Sequence, residues 1–125
     1  MHVDPGAGWF PHIVGYADER GAAQGQGATL NAPLAPGTGD DEWLTTLARV
    51  ADAARAYGAD ALVVSLGVDA ADADPESPLR VTSTGFAAAG RILAALGLPT
   101  VLVHEGGYDL GRLGHDTVAV LAAFR

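Results

Sequence analysis

Two segments of the chain place oxygen-bearing side chains directly after apolar runs. Gly67-Val68-Asp69 follows Ala61-Leu62-Val63-Val64-Ser65-Leu66, and His104-Glu105-Gly106-Gly107-Tyr108 follows Thr100-Val101-Leu102-Val103. In an open parallel sheet, ligands bind beyond the carboxyl ends of the strands, so chemistry is expected at these positions. If the two strands pair, a carboxylate and a phenol share one rim. A carboxylate is a hard oxygen ligand for zinc, and a phenol can donate a hydrogen bond to an oxyanion without carrying charge. The pair points to metal-assisted hydrolysis. Gly106 and Gly107 have no Cβ to keep a substrate away from the backbone. Spacing alone leaves plainer readings open: an Asp after a strand commonly forms a turn or a cap, and a Tyr after Gly-Gly commonly packs at a rim.

The elements that must position these residues follow from periodicity. Trp43, Leu44, Leu47, Val50, Ala51, Ala54 and Tyr57 recur at three- and four-residue steps, behind Asp40 and Asp41 and ahead of Gly58. That is a helix with an acidic start and a glycine stop. The run 61–66 lacks alternation, as expected of a strand covered on both faces in a parallel sheet. Thr82-Ser83-Thr84 supplies an N-cap for a second helix carrying Phe86, Ala89, Ile92, Leu93 and Leu96, closed by Gly97 and Pro99. Thr100 to Val103 repeats the buried-strand pattern, and Leu110 to Phe124 reads as a third helix. Residues 1–39 are punctuated by Gly and Pro and read as loops, except for His2-Val3 as a strand tail and Ala28 to Leu34 as a short extended stretch. The expected class is α/β: a loop-rich segment 1–39, then an αβαβα unit over 40–125 with right-handed crossovers, in one domain without a linker.

Composition excludes several partners. The chain has 125 residues, 15 Asp plus Glu, 7 Arg and no Lys, for a net charge of −8. An acidic surface cannot release phosphate counterions, so direct nucleic-acid binding is not expected. Neither Gly25-Gln26-Gly27 nor Gly106-Gly107 completes a dinucleotide fingerprint, and a Walker loop needs a lysine. The cluster Asp69, Asp72, Asp74 and Glu76 lacks the glycine and terminal glutamate spacing of a calcium loop, and Asp72 and Asp74 read as turn formers. Asp109 and Asp116 sit where negative charge favours a helix dipole. His104 and His115 read as structural or exposed, Trp43 as a packing residue, and Trp9 as a packing residue or one that reaches the mouth of a channel. There is no Cys, so any zinc must be held by His and carboxylates. No apolar run approaches the ~20 residues that span a bilayer, and no basic leader precedes one, so a cytoplasmic protein without membrane contact is expected.

The order of motifs carries a resemblance. Gly67-Val68-Asp69-Ala70-Ala71-Asp72-Ala73-Asp74-Pro75, Leu79-Arg80-Val81-Thr82, Gly85-Phe86 and Glu105-Gly106-Gly107-Tyr108 follow one another as in the C-terminal half of the histone deacetylase and acetylpolyamine amidohydrolase family. His2-Val3-Asp4-Pro5, Trp9-Phe10-Pro11, Asp18-Glu19, Leu30-Asn31 and Gly37-Thr38-Gly39-Asp40 extend the match upstream. Glu105 before Gly-Gly-Tyr resembles the bacterial amidohydrolase and class II type. The resemblance implies part of an arginase/deacetylase-type parallel sheet wound with helices. It implies a zinc-dependent amide hydrolase acting on cationic acylated substrates, acyl-lysine or acylpolyamine, through a metal-activated water. Asp69 would be a zinc ligand and Tyr108 the stabiliser of the oxyanion. Phe10 would wall the acyl-stem channel, and Gly106 and Gly107 would pass backbone along it. A monovalent cation is a further group the family allows.

The family's catalytic His pair and its Asp-x-His metal motif belong upstream of Met1. None of His2, His12, His104 and His115 falls where the family pattern would replace them. A catalytic zinc normally has about three protein ligands, and Asp69 is one, so the isolated chain is expected to be inactive. The absent Asp-x-His strand lies, in the family, between the strands ending near His2 and near Leu66, so the sheet is expected to be split. An open parallel edge invites association, either with a second copy or with the missing N-terminal half. The rival expectation is a degenerate, non-catalytic α/β remnant or interaction module without zinc.

Overall fold

The structure, a computed structural model, describes residues 1–125. Residues 1–39 hold two short strands, β1 (His2–Val3) and β2 (Pro33–Leu34), joined by loops and two single 3-10 turns. The remainder runs α1 (Asp40–Tyr57), β3 (Leu62–Leu66), α2 (Ser83–Ala94), β4 (Thr100–His104) and α3 (Leu113–Leu121), with a final 3-10 turn over Ala122–Phe124. β1 pairs with β2 and β3 pairs with β4, both in parallel, as two separate two-stranded sheets. The split expected between β1 and β3 is therefore present. Of the stretch Ala28 to Leu34, only its last two residues pair as strand. No helix is long and apolar enough to cross a membrane.

Local chemistry sets the element ends. Gly58 adopts a left-handed conformation at φ 76° and donates its N–H to the Arg55 carbonyl, closing α1. Thr82 caps α2, its hydroxyl accepting from the Gly85 N–H. The start of α1 reaches this cap: Asp40 accepts from the Thr82 N–H at 2.8 Å and from its hydroxyl at 2.6 Å. α3 starts three residues later than periodicity predicts. Asp109 turns the chain first, its carboxylate accepting from the Gly111 N–H and its carbonyl from Arg112 and Leu113.

The core lies where α1 and α2 meet β3. Phe86 is fully buried and packs edge-on against Trp43, ring centroids 5.6 Å apart. Leu47, Leu66, Val68, Val81 and Val120 belong to the same 13-residue cluster. The expectation of a strand covered on both faces is overturned. Val63 is 70% exposed and Val101 59%, because in this chain the helices cover only the opposite face of β3–β4. The role given to Asp116 is corrected too. It is buried, accepts from the Ser83 hydroxyl and faces Arg112, which also pairs with Asp72. A buried carboxylate needs such partners, and the helix dipole alone is not its reason.

α2 and α3 meet at Gly90, where an added Cβ would lie 3.0 Å from the Val120 Cα and 3.1 Å from its carbonyl carbon. Backbone cannot swing aside as a side-chain tip can. Ala at a helix position gains about 1 kcal/mol over Gly, whereas overpacking costs about 1–3 kcal/mol. We expect Gly90→Ala to lower unfolding free energy by a net of up to ~2 kcal/mol in urea titration. Unchanged or raised stability would show that the helices have room to part.

Candidate functional site

The register Leu66↔His104 ends both strands level, so the chain leaves β3 and β4 side by side. The Val68 N–H then donates to the Gly106 carbonyl at 2.8 Å, which holds the two exit segments together beyond the strands. Gly67 and Gly106 form a cup around the Asp69 carboxylate. A Cβ on Gly67 would stand 2.6 Å from Oδ1, and one on Gly106 would collide with Oδ2. The carboxylate occupies the space that two side chains would otherwise take.

Asp69 faces a cleft of about 740 Å³ between the two sheets. One wall is the free edge of β3, Leu62 to Leu66, and the other is Met1, His2 and Val3. Trp43, Leu47 and Phe86 also line it, with Trp9, Phe10 and Pro11 contributed by the loop-rich segment. Phe10 is 81% exposed. The structure thus brings Asp69, Phe10 and Gly106 to one cleft. Gly107 and Tyr108 are not among its lining residues. Gly107 sits between Val68 and Leu113, each 2.7 Å from where its Cβ would be, at a φ of 149° that favours glycine. Tyr108 follows at the rim, half-exposed, its hydroxyl without a hydrogen-bond partner in the chain.

Burial raises the Asp69 carboxyl above its ordinary pKa. A hydrogen bond from its own backbone N–H opposes this, and the charges of Asp74 and Glu105 add to the rise. The anion is therefore held where it lacks a compensating cation. No group of three or more His, Cys, Asp or Glu side chains converges to hold a metal. Asp69 is a single donor, so the residues of this chain do not by themselves make a zinc site.

Two residues near this rim do more than the sequence alone indicates, where Glu105 reads as a mark of the bacterial type and Asp74 as a turn former. Glu105 lines the cleft beside Gly106, and the rule that points to strand exits applies to it as much as to Asp69. Asp74 is more than a turn former. It does accept from the Glu76 N–H two residues on, yet its buried carboxylate also accepts from the Tyr108 and Asp109 N–H groups. Only an acidic residue before Pro75 hinted at it.

The sequence matches the histone deacetylase domain over residues 1–124. The chain belongs to the histone deacetylase family. Acetylpolyamine amidohydrolase 1 of Pseudomonas aeruginosa is 42% identical over 124 residues, covering 99% of this chain and 36% of that protein. The acetylpolyamine amidohydrolase of Mycoplana ramosa is 42% identical over 121 residues, covering 97% and 35%. Among solved structures, acetylpolyamine aminohydrolase from Burkholderia pseudomallei superposes with a TM-score of 0.93 at 36% identity, over 98% of this chain and 36% of that one. The chain spans about a third of the length of these relatives. Its fold is accordingly part of the deacetylase α/β fold.

An uncompensated half-buried carboxylate also predicts a pH signature. Because the native-state pKa of Asp69 lies above its unfolded value, the native state holds this proton more tightly. Asp69 therefore lowers stability once pH exceeds the raised value, and the penalty vanishes below the ordinary carboxylate value of about 3.9. In metal-free buffer Asp69→Asn should melt a few degrees above the parent at neutral pH, with the gap closing on acidification. A gap that is absent at neutral pH, or that widens in acid, would contradict the assignment.

Proposed function

We propose that these residues form the C-terminal half of a zinc-dependent deacetylase domain and carry one side of its active site. In this reading Asp69 contributes one ligand of the metal's set. Tyr108 donates its phenolic hydrogen bond to the acyl oxygen as negative charge develops there, and carries no charge of its own into the site. Phe10 walls the channel for the acyl-bearing stem, with Gly106 and Gly107 bringing backbone close to it. The substrate class is a cationic amine bearing an acyl group, acyl-lysine or acylpolyamine. A chain of charge −8 attracts such cations at long range.

The observation that carries this reading is the cup at the exits of β3 and β4. Two glycines shape a space for one carboxylate, and that carboxylate faces a cleft while burial works against its charge. A structural Asp would gain stability from a cation or several donors at that place. A metal ligand instead needs an anion available to a cation that arrives later. Gly106→Ala would turn the carboxylate away from its present position, since the colliding atom is a side-chain tip free to rotate.

The isolated chain, with one ligand, is read as inactive. The test uses the full-length protein that carries these residues, with zinc stoichiometry by elemental analysis and hydrolysis of acetyl-lysine and acetylpolyamine substrates. Tyr108→Phe should lower kcat by about 10²–10³-fold while zinc stays near the parent level, as for loss of one oxyanion donor. Asp69→Ala should lose zinc and activity together. Zinc lost with Tyr108→Phe would mean its role is wrongly assigned, and a parent with neither zinc nor hydrolysis would favour the non-catalytic remnant.

A further inference from the structure

Tyr108 stands on an exposed turn, and an exposed turn does not fix a phenol by itself. The backbone of that turn is held from below. Asp74 is 7% exposed, and its Oδ2 accepts from the Tyr108 N–H at 2.7 Å and from the Asp109 N–H at 3.2 Å. Its Oδ1 accepts from the Glu76 N–H at 2.9 Å. Three backbone donors and no arginine or histidine satisfy this carboxylate. Two of the three come from a segment 34 and 35 residues downstream, so the contact ties the loop after β3 to the loop after β4. Asp69 lies on the first of these loops and Tyr108 on the second.

We propose that Asp74 is a positioning residue for Tyr108. This rests on the reading of Tyr108 as the oxyanion donor. Gly107 brings the backbone close against Val68 and Leu113 without a side chain, and Asp74 fastens the next two amides. The backbone from which the Tyr108 phenol projects is thereby held in place. Charge-assisted hydrogen bonds from backbone N–H to a buried carboxylate are among the stronger ones, which suits a clamp on a surface turn. The same loop carries the Asp69 carboxylate five residues upstream, so one short segment sets the spacing between the two groups. A neutral amide at position 74 would keep the size but lose half of the acceptor capacity.

The test is made on the full-length protein that carries these residues, with Asp74→Asn, Tyr108→Phe and the double variant. Amide hydrogen exchange at Tyr108 and Asp109 should accelerate by about tenfold or more in Asp74→Asn, while the amides of β3 and β4 keep their protection. kcat should fall by roughly tenfold or more with KM and zinc content near the parent values. Added to Tyr108→Phe, Asp74→Asn should have little further effect, because the group it positions is already gone. Exchange that is unchanged at Tyr108, exchange that accelerates evenly through β3 and β4, or additive losses in kcat would each overturn the proposal. Asp74→Glu serves if Asp74→Asn does not fold: its longer reach should move the Tyr108 amide and lower kcat, and a variant of parent kcat would equally overturn it. Failure of the underlying reading is seen separately, as a Tyr108→Phe single variant that retains full activity.

Discussion

The parallel ladder between β3 and β4 is the constraint on which the site depends. Its register ends the two strands at the same level, and two further hydrogen bonds, from the Glu105 N–H to Leu66 and from the Val68 N–H to Gly106, carry the pairing past them. A slip of one residue would turn the inward side chains of either strand outward and move Asp69 out of its glycine cup. The helices serve this pairing. α1 and α2 press Trp43 and Phe86 against one face, and Asp40 ties the start of α1 to the cap of α2.

The same ladder is narrow. A two-stranded parallel sheet is rare in isolation because both of its edges and one face remain open. Here the open face carries Val63 and Val101, and the open edge of β3 walls the cleft opposite β1. Deacetylase relatives about three times as long contain material that this chain does not match. The cleft and the uncovered Val63 both lie along the edge of β3 that no other strand of this chain covers.

Much of this arrangement was legible in the chain itself. The helix over Asp40–Tyr57 has a clean 3.6-residue period and a glycine stop, and Thr82 caps as its hydroxyl chemistry dictates. The apolar runs gave the strands to within a residue or two. What they could not give was cover. An apolar run records that a strand is suited to burial and does not say that its neighbours are in the same chain, so Val63 and Val101 emerge exposed. Asp74 and Asp116 were hidden for another reason. Their nearest sequence neighbours explain a turn and a helix start, whereas the partners that account for their burial, Tyr108 and Ser83, come from distant segments. Asp69 and Gly106 could be placed at the strand exits because the rule for parallel sheets depends on topology alone.

The central claim is that this rim is one side of a site whose remaining groups come from elsewhere. It is tested most directly by complementation in trans: zinc stoichiometry and acetylpolyamine hydrolysis of the 125-residue chain alone, and after mixing with a separately produced N-terminal portion of a deacetylase relative. The account predicts neither zinc nor turnover for the chain alone, and both in the mixture, lost again when Asp69 is replaced by Ala. Stoichiometric zinc and turnover in the chain alone, or a reconstituted activity indifferent to Asp69, would contradict it.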